Sequence, residues 1–143
     1  MSQLPDLITG SLHFDQRGLL ISFNEFFMHE VKRMYSINPG PEIIRAWQGH
    51  RIEKKWFFCV QGEFEVKLIK LEDFESPSSQ LYATTFFLKA QEPQVLFIPG
   101  GYANGFRATK DASQLLVFSN FSSKDSLNDD YRFEQNYWDV WGR

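Results

Sequence analysis

From Gly62 to Leu71 the chain alternates, with Phe64, Val66 and Leu68 apolar and Glu63, Glu65 and Lys67 charged. A period of two is that of a β-strand with one buried and one wet face. Further short apolar runs at 19–23, 31–37, 55–60, 81–88, 94–98 and 114–121 read as strands too. Turn-forming residues separate them: Asn38-Pro39-Gly40-Pro41, Ser76-Pro77-Ser78-Ser79, Glu92-Pro93 and Pro99-Gly100-Gly101. Many short strands with regular turns and no long helical pattern predict an all-β antiparallel sandwich or barrel. Residues 24–29 admit a helical turn.

Composition agrees with this reading. Fifteen Phe, five Tyr and four Trp suit a pleated, packed surface, and 143 residues suit a single domain spanning 1–143. The net charge of −3 with dispersed cations excludes a nucleic-acid surface. No stretch approaches the roughly 20 apolar residues of a membrane span, and the first residues, Met1 to Asp6, lack the features of a signal peptide. A cytoplasmic protein is expected. The single cysteine, Cys59, excludes an internal disulfide and, within Trp56-Phe57-Phe58-Cys59-Val60, reads as a buried, inert thiol. After a polar stretch around 124–130 come Tyr131, Phe133, Tyr137, Trp138 and Trp141, so the tail is expected to dock on the barrel or on a second subunit. Arg45 stands alone in the run Ile43-Ile44-Arg45-Ala46-Trp47 and needs a partner, either a ligand phosphate or Glu42 or Glu53.

Four segments resemble one known group. Phe14-Asp15-Gln16-Arg17-Gly18-Leu19-Leu20, Val31-Lys32-Arg33-Met34-Tyr35-Ser36-Ile37, Arg45-Ala46-Trp47-Gln48-Gly49-His50-Arg51 and Ile98-Pro99-Gly100-Gly101-Tyr102-Ala103-Asn104-Gly105-Phe106 are similar to segments of the nucleotide-sugar cupins. These are the RmlC-like dTDP-4-dehydrorhamnose 3,5-epimerases and dTDP-sugar 3,4-ketoisomerases. The resemblance implies a double-stranded β-helix (a cupin jelly roll), and a homodimer in which the N-terminal strands around 19–23 cross to the neighbour. It also implies a nucleotide-diphosphate sugar as partner and no cofactor. Metal-binding cupins carry H-x-H-x(3,4)-E-x(6)-G and P-x-G-x-x-H; here the ligand positions hold Gln48, His50, Lys55 and Asn104. One histidine beside a lysine does not make a metal site.

The chemistry implied is enolisation beside the ketone of a nucleotide-linked 4-keto-6-deoxy sugar, in deoxysugar or cell-surface polysaccharide synthesis. His50 falls on a ketoisomerase histidine and is the candidate base, since a neutral imidazole suits proton removal near ambient pH. Lys55 matches an epimerase lysine and is expected to polarise the ketone or hold phosphate. Tyr35 is the candidate proton donor or orienting group, and Glu134 the carboxylate that orients the histidine. Arg45 and Arg17 are expected to grip the diphosphate, with Gln48, Asn104, Tyr102 and Trp47 completing the binding wall.

The departures are specific. Gln48 stands where the epimerases keep their basic histidine, and Leu116 where they keep a proton-donating tyrosine. Leu20 and Ser22 replace a Phe and a Glu associated with the nucleotide. Two alternatives to an enzyme follow: a non-catalytic cupin that binds a sugar nucleotide or carbohydrate after losing its base, and a small-molecule sensor or assembly partner.

Overall fold

The computed structural model describes residues 3–142. They form strands β1 (Asp6–Thr9), β2 (Ser11–Asp15), β3 (Gly18–Ser22), β4 (Arg33–Ile37), β5 (Arg45–His50) and β6 (Lys55–Gln61). There follow β7 (Glu63–Lys70), β8 (Thr84–Lys89), β9 (Gln94–Ile98), β10 (Tyr102–Ala108), β11 (Gln114–Ser119), a one-turn helix α1 (Ser123–Ser126) and β12 (Tyr131–Arg132). Two antiparallel five-stranded sheets face each other, in the orders β1-β9-β6-β11-β4 and β12-β5-β10-β7-β8. The β2–β3 hairpin stands apart as a third, two-stranded sheet. This is the jelly-roll sandwich that the alternation and the resemblance predict.

The alternation of β7 is used as expected. Phe64, Val66 and Leu68 turn into the space between the sheets, where they meet Phe57, Leu96, Leu115 and Val117 of the opposite sheet. Phe57 and Phe106 cross this gap edge to face, with ring centroids 5.6 Å apart. Gly62, at φ 78°, turns the chain from β6 into β7; a Cβ there would lie 2.0 Å from Ser113 Oγ, so only glycine fits.

Three elements escape the pattern. The β10 segment has no visible alternation because both of its faces are covered: Tyr102 and Phe106 face the core, while Ala103 lies under Trp47, Trp138 and Trp141. A Cβ on Gly105 would come within 2.9 Å of the Trp141 ring, so small residues here make room for the indoles. Half of the β5 strand, Trp47, Gly49 and His50, is likewise buried, with Trp47 beneath the tail. The β1 strand is short and joins a sheet edge beside β9. The helical turn expected at 24–29 forms slightly later, as a 3-10 turn at Met28–Glu30.

The tail docks on its own barrel. Trp138 and Trp141 pack against Trp47 at centroid distances of 5.3 and 5.5 Å. Trp138 Nε1 donates to the Ser78 carbonyl at 2.8 Å, and β12 pairs with Gly49 and Gln48 of β5. The chain between β11 and β12 is thereby laid across one end of the sandwich. No helix among the described residues is long and apolar enough to cross a membrane.

Candidate active site

A cavity of about 740 Å³ opens between the two sheets at the end capped by this tail. Its walls carry four cations, Arg33, Arg45, Lys55 and Arg132, against one acid, Asp130. The period of two places them. Gln48 projects inward from β5, Lys55 enters from β6 in the facing sheet, and Asn104 and Phe106 line the floor from β10. The tail contributes Ser126, Asp130 and Arg132.

His50 lies beside this cavity rather than on its wall, and is 3% exposed. Its Nδ1 donates to the Asp129 carbonyl at 2.6 Å, since a carbonyl can only accept. That bond places the proton on Nδ1 and the lone pair on Nε2, which is buried with no hydrogen-bond partner among the described residues. Burial pushes the imidazole below its ordinary pKa and the nearby Lys55 adds to this, so the ring is neutral.

Glu53 supports the ring from behind. Its side chain is fully buried, lies 3.4 Å from His50 Nδ1, and accepts from Ser119 Oγ at 2.5 Å and Ser126 Oγ at 2.6 Å. Arg33 adds a bond at 3.2 Å. Burial alone would raise this carboxyl; the two serine bonds, with the nearby Lys55 ammonium, outweigh it and hold the group below its ordinary range. An ionised carboxylate so placed stabilises an imidazolium if His50 gains a proton.

Asp129 fixes the loop that carries Glu53. Its carboxylate accepts from the backbone N–H groups of Arg51, Ile52 and Glu53 at 2.7, 2.8 and 2.7 Å. Lys55 is 2% exposed and donates to Gln48 Oε1 at 3.0 Å. Burial is the main cause that takes its pKa down to about 8, with Arg33 and Arg132 adding to the effect against Glu53 and Asp130. Gln48 in turn donates to Asp130 Oδ1 at 3.1 Å, and Asp130 is gripped by Arg132 at 2.7 Å.

The structure sorts the sequence-derived residues. Arg45, Gln48, Lys55, Tyr35 and Asn104 meet at the cavity, with His50 directly adjoining. Arg45 has no carboxylate partner among the described residues, because Glu53 pairs with Arg33 and Glu42 with Arg107. Four residues need correction. Arg17 sits on the exposed hairpin and pairs with Asp15 at 2.7 Å, away from its own chain's cavity. Tyr102 packs into the core between the sheets. Trp47 borders the cavity, but its indole packs on Trp138 and Trp141 and its Nε1 donates to the Gln135 carbonyl at 3.1 Å. Glu134 is exposed, and His50 is held by the Asp129 carbonyl and Glu53 instead. The strand register also moves: Leu116 packs on the outer face with Phe58 and Phe118, and Val117 is the β11 residue that faces the cavity.

Sequence reasoning missed Arg33, Asp129, Asp130 and Arg132, and named Glu53 only as a possible partner of Arg45. Arg33 lay in a segment already singled out by resemblance. The adjacent Asp129-Asp130 pair, in a polar loop just before an aromatic cluster, was the only signal for the others. At the metal-ligand positions of other cupins, a lysine ammonium bonded to Gln48 leaves no set of ligands.

No protein-family model matches the chain. A probable low-salt glycan biosynthesis epimerase of Haloferax volcanii is 30% identical over 109 residues, covering 72% of this chain and 68% of that protein. The chain belongs to the RmlC-like family of sugar epimerases and ketoisomerases. Solved structures of lower identity show the same fold. The 3,4-ketoisomerase QdtA of Thermoanaerobacterium thermosaccharolyticum, in complex with TDP, superposes with a TM-score of 0.72 at 20% identity, covering 94% of this chain and 92% of that one. The 3'-monoepimerase ChmJ of Streptomyces bikiniensis, as a double mutant with dTDP, gives a TM-score of 0.76 at 13% identity, covering 99% and 78%. Against this RmlC-like background, the cationic cavity and the buried histidine occupy the mouth of the barrel, where the signature segments lie.

Proposed function

We propose that this RmlC-like chain is a metal-independent isomerase that enolises a nucleotide-linked 4-keto-6-deoxy sugar next to its ketone. The observation that carries the reading is the buried Nε2 of a neutral His50, without a hydrogen-bond partner among the described residues, beside a cavity of four cations. A neutral imidazole with a free lone pair accepts a carbon-bound proton, and Glu53 steadies the imidazolium that results. Lys55 faces the ketone oxygen, where negative charge develops. Arg45, without a carboxylate of its own, and Arg132 hold the diphosphate through forked hydrogen bonds. Tyr35 keeps its phenol protonated, because burial raises its pKa, and orients the sugar by donating a hydrogen bond.

A homodimer accompanies this reading. The β2–β3 hairpin pairs with no other strand of the described residues, and Leu12, Phe14, Leu19 and Leu20 are all more than half exposed on it. An isolated hairpin is marginal in water, so crossing to a neighbour's sheet gives it a place; light scattering should report twice the chain mass. A cytoplasmic setting follows from the sugar-nucleotide substrate.

The test is solvent deuterium exchange into dTDP- and UDP-linked 4-keto sugars. Exchange by the native protein, lost in His50→Gln with nucleotide binding kept, supports the enzyme. Tight binding of the sugar nucleotide with no exchange would instead establish the binding-only cupin.

A further inference from the structure

The three-residue chain Asp130–Gln48–Lys55 has no place in a reading that uses Lys55 only as a fixed cation. Lys55 reaches from β6 across the gap to β5, where its ammonium donates to Gln48 Oε1. The Gln48 amide is held in that sense by its own Nε2, which donates to Asp130. Of the ammonium's three N–H donors, the other two have no protein partner among the described residues, and no carboxylate lies within ion-pair distance. The opposing strand offers no acid, since Val117 is the β11 residue at the cavity. The base position of related chains holds a glutamine that cannot exchange a proton, yet it is engaged in aiming a residue that can.

We propose that Lys55, aimed by the Gln48 amide and the Asp130 carboxylate, is the second proton-transfer group, the acid that protonates the enolate carbon. This rests on the function proposed above. His50 Nε2 takes the proton from the carbon beside the ketone, leaving imidazolium and enolate. The Lys55 ammonium then gives one N–H proton to the enolate carbon as the ketone re-forms, and becomes a neutral amine. The imidazolium returns its proton through solvent to that amine, so the cycle closes with no net gain or loss. The two groups enter from different sheets, which suits delivery to a different side of the sugar from removal. An ammonium at about 8 releases its proton far more readily than one at its ordinary 10.5. Charged and titratable groups face it from every side: Arg33 and Tyr35 from β4, His50 from β5, Glu53 from the loop, and Asp130 and Arg132 from the tail.

The test compares native protein, Lys55→Arg and Asp130→Asn. Lysine labelling with acetic anhydride across pH, read by mass spectrometry, should place half-reaction of native Lys55 near pH 8. Turnover should fall on its alkaline side in the same region, where the acid is lost. Lys55→Arg keeps the charge but not the acid: it should retain His50-driven deuterium exchange while product formation drops about 100-fold or more with KM little changed. Asp130→Asn, which removes a nearby negative charge, should move both the labelling midpoint and the alkaline limb to lower pH. Product formation by Lys55→Arg within about threefold of native, or an Asp130→Asn limb that does not move, overturns the proposal. Native protein that turns over no 4-keto sugar overturns the functional reading itself, an outcome distinct from an active Lys55→Arg.

Discussion

Replacing Asp129 by alanine removes three short backbone hydrogen bonds and tests how the loop before Lys55 is held. The carboxylate is 6% exposed and accepts from the N–H groups of Arg51, Ile52 and Glu53. Glu53 is buried, so its orphaned N–H costs about 1–3 kcal/mol, while Arg51 and Ile52 are exposed and can rehydrate, costing about 0.5–1.5 kcal/mol each. The total is about 2–6 kcal/mol. At about 3 °C per kcal/mol for a chain of this size, the melting midpoint should fall by about 6–18 °C. Calorimetry or circular dichroism reads this directly. The Asp129 carbonyl also holds His50 Nδ1, so loosening the loop should lower deuterium exchange more than nucleotide binding, for which Arg45 and Arg132 are the proposed groups. Asp129→Asn, which turns one acceptor into a donor, should lie between native and alanine. An Asp129→Ala midpoint within about 2 °C of native would refute the view that this carboxylate organises the site.

Further predictions concern stability and reactivity. Lys55 binds its proton less tightly folded (about 8) than unfolded (10.5), so the unfolded chain carries the extra proton between these values. The cost of burying the charge is therefore fully present below pH 8 and fades as pH rises towards 10.5, and is about 3 kcal/mol in all. Lys55→Met should raise the melting midpoint at pH 7 by several degrees, with the gain vanishing near pH 10.5, while abolishing turnover; a midpoint that falls at every pH would contradict this. Cys59 is buried and its thiol is pushed up to about 11, chiefly by burial, so a thiol reagent at pH 8 should label it only after unfolding. Trp47→Ala, which empties the contact with Trp138 and Trp141, should cost about 3–5 kcal/mol and detach the tail, visible as faster proteolysis beyond residue 130.

Much of this was legible before any coordinates. A strand like β7 announces its faces because one side is wet and the other dry, and period two survives in the order of residues. The residue types of β5 and the start of β6, read against a family frame, pointed to Gln48, His50 and Lys55. Where both faces of a strand are covered, as in β10, polarity no longer alternates and the signal disappears. The same blindness affected the partners of the site. Glu53, three positions from His50, was a candidate partner for Arg45; it was packing that gave it instead to Arg33, Ser119 and Ser126. Glu134 and Asp129 both follow β11 in an aromatic-rich tail, and only the path of that tail shows which of them reaches His50.

Local order along the chain thus settled the fold class, the strand faces and the residue types of the site, since these depend on near neighbours and on side-chain chemistry. The tertiary structure alone decided which carboxylate meets which base, which tautomer His50 adopts, and how far Lys55 is stripped of water. Those properties arise from contacts between segments far apart in the chain, and from the exclusion of solvent that only their packing brings about.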